Sequence, residues 1–173
     1  MRNSVRVASG LAIAGLLVGV GAQTALAADE DTPVTTEVEA GVLSIAVPAS
    51  LDLGANDPGD TATATLGTVT VTDDRADVLG WVTSVSISDF APENVTGASI
   101  PVSGFTYTPS AATVTGTATV TESTATGAGP SAVQTATAVT GQNSASWTAS
   151  VSLVIPSDAL ADTYSTTLTH SVI

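Results

Sequence analysis

The chain has 173 residues, no cysteine and one histidine, with sixteen acidic residues against three basic ones. All sixteen carboxylates lie beyond residue 28, where Arg75 is the one basic side chain, so residues 28–173 carry a formal charge of −15. This balance excludes nucleic-acid binding, which needs Lys and Arg to displace counterions, and bulk adhesion to anionic membranes or wall polymers; the lack of cysteine excludes a disulfide framework and a Cys-based metal site.

Residues 1–27 read as a signal peptide. Arg2 and Arg6 make a positive start, Leu11–Val20 is a short apolar run, and Ala25-Leu26-Ala27 is a small-x-small cleavage site, which predicts cleavage before Ala28. No later stretch is long and apolar enough to span a membrane. No Leu-Pro-x-Thr-Gly signal or lipid-accepting cysteine is present, so the expectation is a secreted, extracellular protein without a covalent anchor. Residues 28–36 are expected to be a mobile acidic arm.

Residues 37–173 are about one domain in length and read as all-β. Thr, Val, Ser and Ala dominate, while Gly, Pro, Asp and Asn punctuate. Strands are predicted near 37–47, 61–72, 81–89, 99–108, 113–121, 133–140, 145–155 and 163–173. A single helical turn is predicted at Pro156–Ala161. Short strands at this spacing predict a two-sheet antiparallel β-sandwich of about eight strands. The Ala/Thr/Gly/Ser-rich tract 110–146 reads as an edge hairpin or a flap.

Between the first two strands, Asp52, Asn56, Asp57 and Asp60 form a weak calcium candidate. Ca²⁺ takes six to eight oxygens, but this spacing fits no EF-hand, and an ordinary acidic turn is the preferred reading. No cofactor is expected. Asn94-Val95-Thr96 matches a glycosylation acceptor and is read as a chance match.

Alternation assigns the faces of the strands. Trp81, Thr83, Val85 and Ile87 share one face, and Trp147, Ala149, Val151, Leu153 and Ile155 share another. Tyr164, Leu168, His170 and Val172 form a third apolar face. Both tryptophans are therefore expected in the core. Trp81-Val-Thr-Ser-Val-Ser-Ile echoes Trp147-Thr-Ala-Ser-Val-Ser-Leu, as two core strands of similar composition would.

Asp73 and Arg75 precede Trp81 by a short loop. The guanidinium could grip a carboxylate of a wall peptide as a fork. It could instead pair with Asp73, Asp74 or Asp77 and hold the loop, and this second reading is preferred because such pairs are common.

These residues carry a resemblance. Gly41-Val-Leu-Ser-Ile-Ala-Val-Pro48, Leu53-Gly54, Asp73-Asp-Arg75, Gly80-Trp81, Phe90, Gly97-Ala-Ser-Ile100, Val151-Ser-Leu-Val-Ile-Pro156 and Tyr164-Ser-Thr-Thr-Leu-Thr169 follow one another as in the WxL cell-surface domains of Gram-positive bacteria. Both name-giving motifs are degraded. Trp81-Val82-Thr83 stands for the first Trp-x-Leu, and His170-Ser171-Val172 occupies the place of the second. The resemblance implies a secreted β-domain held non-covalently on peptidoglycan, often together with another cell-surface protein. Asp73, Arg75, Trp81 and His170 are then the candidate binding residues.

Catalysis has little material. Beyond residue 28 there is no Cys or Lys, and a Ser-His-Asp arrangement would have to use His170 on its apolar face. The expectation is a non-enzymatic surface module; the alternative is a subunit of an extracellular fibre or matrix, self-assembling by strand addition through the arm at 28–36 or the last strand.

Overall fold

The computed structural model describes residues 29–173, so the signal-peptide reading of 1–27 lies outside the described residues. Residues 29–36 are exposed and carry neither strand nor helix. Residues 37–173 form a separate unit, described from here on.

The unit is antiparallel β. In chain order its strands are β1 (Leu43–Ala46), β2 (Thr61–Asp73), β3 (Trp81–Ser86), β4 (Ala91–Pro92), β5 (Phe105–Pro109), β6 (Thr113–Glu122), β7 (Ala125–Thr126), β8 (Ser131–Val154), β9 (Tyr164–Ser165) and β10 (Thr169–Val172). Eight of them make one hydrogen-bonded sheet, and β4 and β9 make a small second one. The main sheet runs β1-β2-β8-β3-β10, with β6 and β5 also on β8 and β7 on β5. Its end strands β1 and β10 approach one another, so the sheet is nearly barrel-shaped. The hydrogen bonding thus joins the strands in one folded-over sheet, where the sequence predicts two facing ones.

β8 is the spine. Its first part pairs with β3 and its later part with β2, while β6 and then β5 line its other partners. The two strands predicted at 133–140 and 145–155 are therefore one strand of 24 residues. It turns a corner where Ala138 (φ 50°) and Gly141 (φ 68°) adopt left-handed backbone, conformations that bend a strand away from a flat sheet.

Two irregularities set which side chains face the core. In β2 the register slips between Leu66 and Val69, adding one residue opposite β8. Ala62 and Leu66 are buried before the slip, and Val69, Val71 and Asp73 after it. One extra residue exchanges the two faces of everything that follows. In β8 a second slip, opposite Thr83 and Ser84, buries the consecutive residues Val133 and Gln134.

Other elements are shorter than predicted. The first strand pairs with β2 only from Leu43, the segment 99–108 is strand only from Phe105 after a 3-10 turn at Val102–Gly104, and the last strand is broken into β9 and β10. Pro156–Ala161 holds a β-turn closed by the Ala159 amide on the Pro156 carbonyl, 3.1 Å, in place of a helical turn. Both tryptophans are in the core, with Tyr107, Phe105, Leu153 and Val151. Each such fully buried apolar side chain contributes roughly 1.5–3 kcal/mol relative to exposure.

Candidate functional site

The β2 slip turns Asp73 inward at the end of its strand, where it is 1 % exposed. A buried carboxylate needs partners, because desolvation disfavours its charge. Asp73 has four. Its Oδ1 accepts from the Arg75 Nε (2.8 Å) and the Arg75 amide (3.2 Å); its Oδ2 accepts from Arg75 Nη2 (3.0 Å) and Asn143 Nδ2 (3.1 Å). Asn143 in turn accepts from Trp81 Nε1 at 3.1 Å. The Arg75 hydrogen bonds hold the Asp73 carboxyl below its ordinary range against the opposing effect of burial, and Asp73 raises the guanidinium of Arg75.

Arg75 does more than pair. Its Nη2 also donates to the carbonyls of Leu79 (3.3 Å) and Gly80 (3.2 Å), so one guanidinium ties both ends of the loop 74–80. Of the three partners the sequence leaves open, Asp73 is the one bridged. The loop is fastened on two further sides. Gly41 and Val42 exchange backbone hydrogen bonds with Asp74, and the Gly141 amide donates to the Asp77 carbonyl at 2.9 Å. The Asp77 carboxylate accepts from the Leu79 amide at 2.8 Å. Gly80 lies so close to the Ala136 carbonyl that a Cβ has no room. At the tip of this rigid loop, Val78 and Leu79 are 74 % and 60 % exposed.

His170 belongs elsewhere. Trp147 Nε1 donates to the Tyr107 hydroxyl at 3.2 Å, and that hydroxyl lies 3.3 Å from His170 Nε2, the rings meeting edge-on with centroids 5.5 Å apart. Indole can only donate, so the phenol oxygen accepts there, and the imidazole tautomer sets whether Tyr107 or His170 donates in the second bond. Burial pushes the Tyr107 hydroxyl up and the His170 imidazole down, which keeps both neutral near pH 7. His170 also lines a cleft of about 960 Å³, floored by Leu66, Phe90, Ile100, Phe105 and Leu153 and walled by residues 47–58 and 159–168.

Three of the four calcium candidates, Asp52, Asn56 and Asp60, use a side-chain atom to hold the turn itself. Asp52 accepts from the Gly54 amide, Asn56 donates to the Leu53 and Gly54 carbonyls, and Asp60 accepts from the Asp57 amide. Among the described residues no three His, Cys, Asp or Glu side chains are placed to hold a metal ion. Asn94 is held by Asp162, whose carboxylate accepts from the Asn94 side chain, the Asn94 and Val95 amides and the Thr163 amide. These bonds, the Asn94 side chain first, lower the Asp162 carboxyl to about 2.

The structure thus brings Asp73, Arg75 and Trp81 into one network and leaves His170 in another thread of the core. The residue that joins the first three, Asn143, has no prominence in the sequence. It is the one asparagine in the low-complexity tract 110–146, and that singularity is the only signal it offers. Fold and site together define a small antiparallel β-domain that presents a braced apolar loop. Comparison with family models, curated proteins and solved structures finds no match to this chain.

Proposed function

We propose that the chain is an exported, non-enzymatic surface module of the WxL type, held non-covalently at the cell wall through a partner surface protein that docks on the loop Asp74–Gly80. What carries the reading is the bracing of that loop. Five hydrogen bonds donated by Arg75 fix a tip whose two exposed large apolar side chains are valine and leucine. Ordering an exposed apolar tip in advance removes an entropic cost of association. With the guanidinium engaged by Asp73, the chemistry left at this end is apolar, flanked by the half-buried carboxylates of Asp74 and Asp77. It suits an apolar socket rimmed by basic side chains better than it suits a free wall-peptide carboxylate. In the same reading the sheet, folded at the Ala138–Gly141 corner, packs as the two layers of a sandwich.

Co-sedimentation with isolated cell walls tests this. Walls that keep their surface proteins retain the domain, and the double variant V78S/L79S binds at least tenfold more weakly with an unchanged melting temperature. Protease-stripped walls retain neither. Equal retention of both forms on stripped walls assigns the contact to peptidoglycan and overturns the protein-partner reading; no retention on any wall overturns wall association.

A further inference from the structure

Two strand-like features of the chain leave backbone edges unpaired among the described residues: the segment 34–40 and the outer edge of β6. The first is the approach to β1. From Val34 to Val42 four of the five even positions are apolar, Val34, Val38, Ala40 and Val42 with Thr36 between them, and the odd ones are Thr35, Glu37, Glu39 and Gly41. This is the period of a strand with one apolar face. Yet Val34, Val38 and Val42 are 90 %, 81 % and 69 % exposed, and backbone pairing extends from β1 only as far back as the Gly41 and Val42 hydrogen bonds to Asp74. The phase matters. In β1 the odd residues Leu43 and Ile45 are the half-buried ones, so the apolar even face of the preceding segment is out of step with the core of its own domain. Its valines are patterned for a second surface.

The second feature is β6. Ten residues long, Thr-Val-Thr-Gly-Thr-Ala-Thr-Val-Thr-Glu, it pairs with β8 and with no other described strand. Natural edges of this length are usually blunted by Lys, Pro or inward charge. Here the devices are Glu122 and the two register slips at Gly116/Thr117 and Thr117/Thr119, with no Lys, no Pro and no inward charge. Val114, Ala118 and Val120 face the core side and remain half-buried, while the threonines between them are exposed. Glu122 is moreover the single charged residue between Asn94 and Ser157. In a chain of charge −15, this is the zone where an acidic strand meets least repulsion.

We propose that residues 34–40 of one copy add as a strand to the free edge of β6 (Thr113–Glu122) in a second copy. Val34, Val38 and Ala40 then extend the half-buried row Val114, Ala118 and Val120, and Glu37 and Glu39 project with the threonines into solvent. Donor and acceptor are different surfaces, so each added copy offers a new β6 edge and the contact propagates head to tail. Backbone hydrogen bonds supply the affinity and the alternate side chains the register. The assembly is independent of the loop contact proposed above, so a chain that polymerises without binding walls separates the two.

The experiment uses residues 28–173, the form expected after signal removal, in sedimentation velocity over a range of concentration and salt. Oligomers grow with concentration and grow further as added salt screens the like charges of arm and body. A form lacking residues 28–40 stays monomeric with an unchanged melting temperature, and a synthetic peptide of residues 32–42 binds to it. The double variant T117D/T119D, on the exposed face of β6, binds that peptide at least tenfold more weakly. A full-length chain that remains monomeric at all salt concentrations overturns the proposal, and so does hydrogen-exchange protection of residues 34–40 in a monomer, which would place the strand on its own sheet. Unchanged peptide binding by T117D/T119D assigns the acceptor to another edge and equally overturns it.

Discussion

At the scale of single residues, Asn143 bears the most weight for its size. It stands between a buried carboxylate and a buried indole, donating to one and accepting from the other. Asn143→Leu leaves both without that partner and costs about 2–3 kcal/mol, read from denaturant unfolding. Asn143→Asp places a second carboxylate against Asp73. Its destabilisation is larger at neutral pH and shrinks as acid protonates one of the pair. A comparison of the two variants at pH 7 and pH 4 checks the sign. Two other groups report on pH. His170 is held below its ordinary pKa by burial, so the unfolded chain takes up a proton before the folded one does. Stability therefore falls as pH drops below about 6.5, the unfolded value, and His170→Phe flattens the melting-temperature profile between pH 7 and 5. Asp162, lowered to about 2 by its four donors, contributes stability above the ordinary carboxylate range that is lost as pH falls toward 2. Asp162→Asn removes that acid limb and loosens the loop at Asn94, seen as faster amide exchange at Asn94 and Val95.

At the scale of elements, the bend in β8 and the slip in β2 decide where the functional groups point. Ala138 occupies left-handed backbone, which costs a non-glycine residue about 1–2 kcal/mol. Ala138→Gly relieves it and, after the added freedom of the unfolded chain, raises stability by about 0.5 kcal/mol; Ala138→Val, β-branched in the same conformation, lowers it. Gly80 makes the opposite point. Its neighbour is the Ala136 carbonyl at the start of the β3–β8 pairing, so Gly80→Ala forces β3 away from the spine. The expected loss is about 2 kcal/mol or more in chemical denaturation, in the range of overpacked cores. The sequence echo around the two tryptophans reflects two different settings. Trp81 opens a six-residue strand and bonds Asn143, whereas Trp147 lies deep in the 24-residue spine and bonds Tyr107.

At the scale of the whole molecule, charge sets the behaviour. A formal −15 on residues 28–173 repels itself, and this repulsion is screened within about 10 Å at 0.1 M salt. Added salt is therefore expected to raise the melting temperature as well as to favour association, and a thermal series in NaCl from low to moderate ionic strength measures the first effect in the form lacking residues 28–40. Buried ion pairs change little in that series, since Asp73 and Arg75 are shielded from solvent on the carboxylate side.

The sequence by itself determined the all-β class, the antiparallel habit of Thr- and Val-rich strands separated by turn residues, and the burial of both tryptophans. Each follows from local alternation, which has a fixed period and needs no knowledge of neighbours. It also carried the choice of partners for Arg75 down to three adjacent carboxylates. Only the tertiary structure decided among them. Strict alternation from Ala62 and Leu66 would turn Asp73 to solvent. The slip between Leu66 and Val69, fixed by pairing with β8, turns it inward. Asn143 reaches it because β8 bends and continues past a corner, where the sequence reads as a flap and a separate strand. Register and bends arise from contacts between segments 70 residues apart, and no local pattern encodes which of two faces such a contact will select.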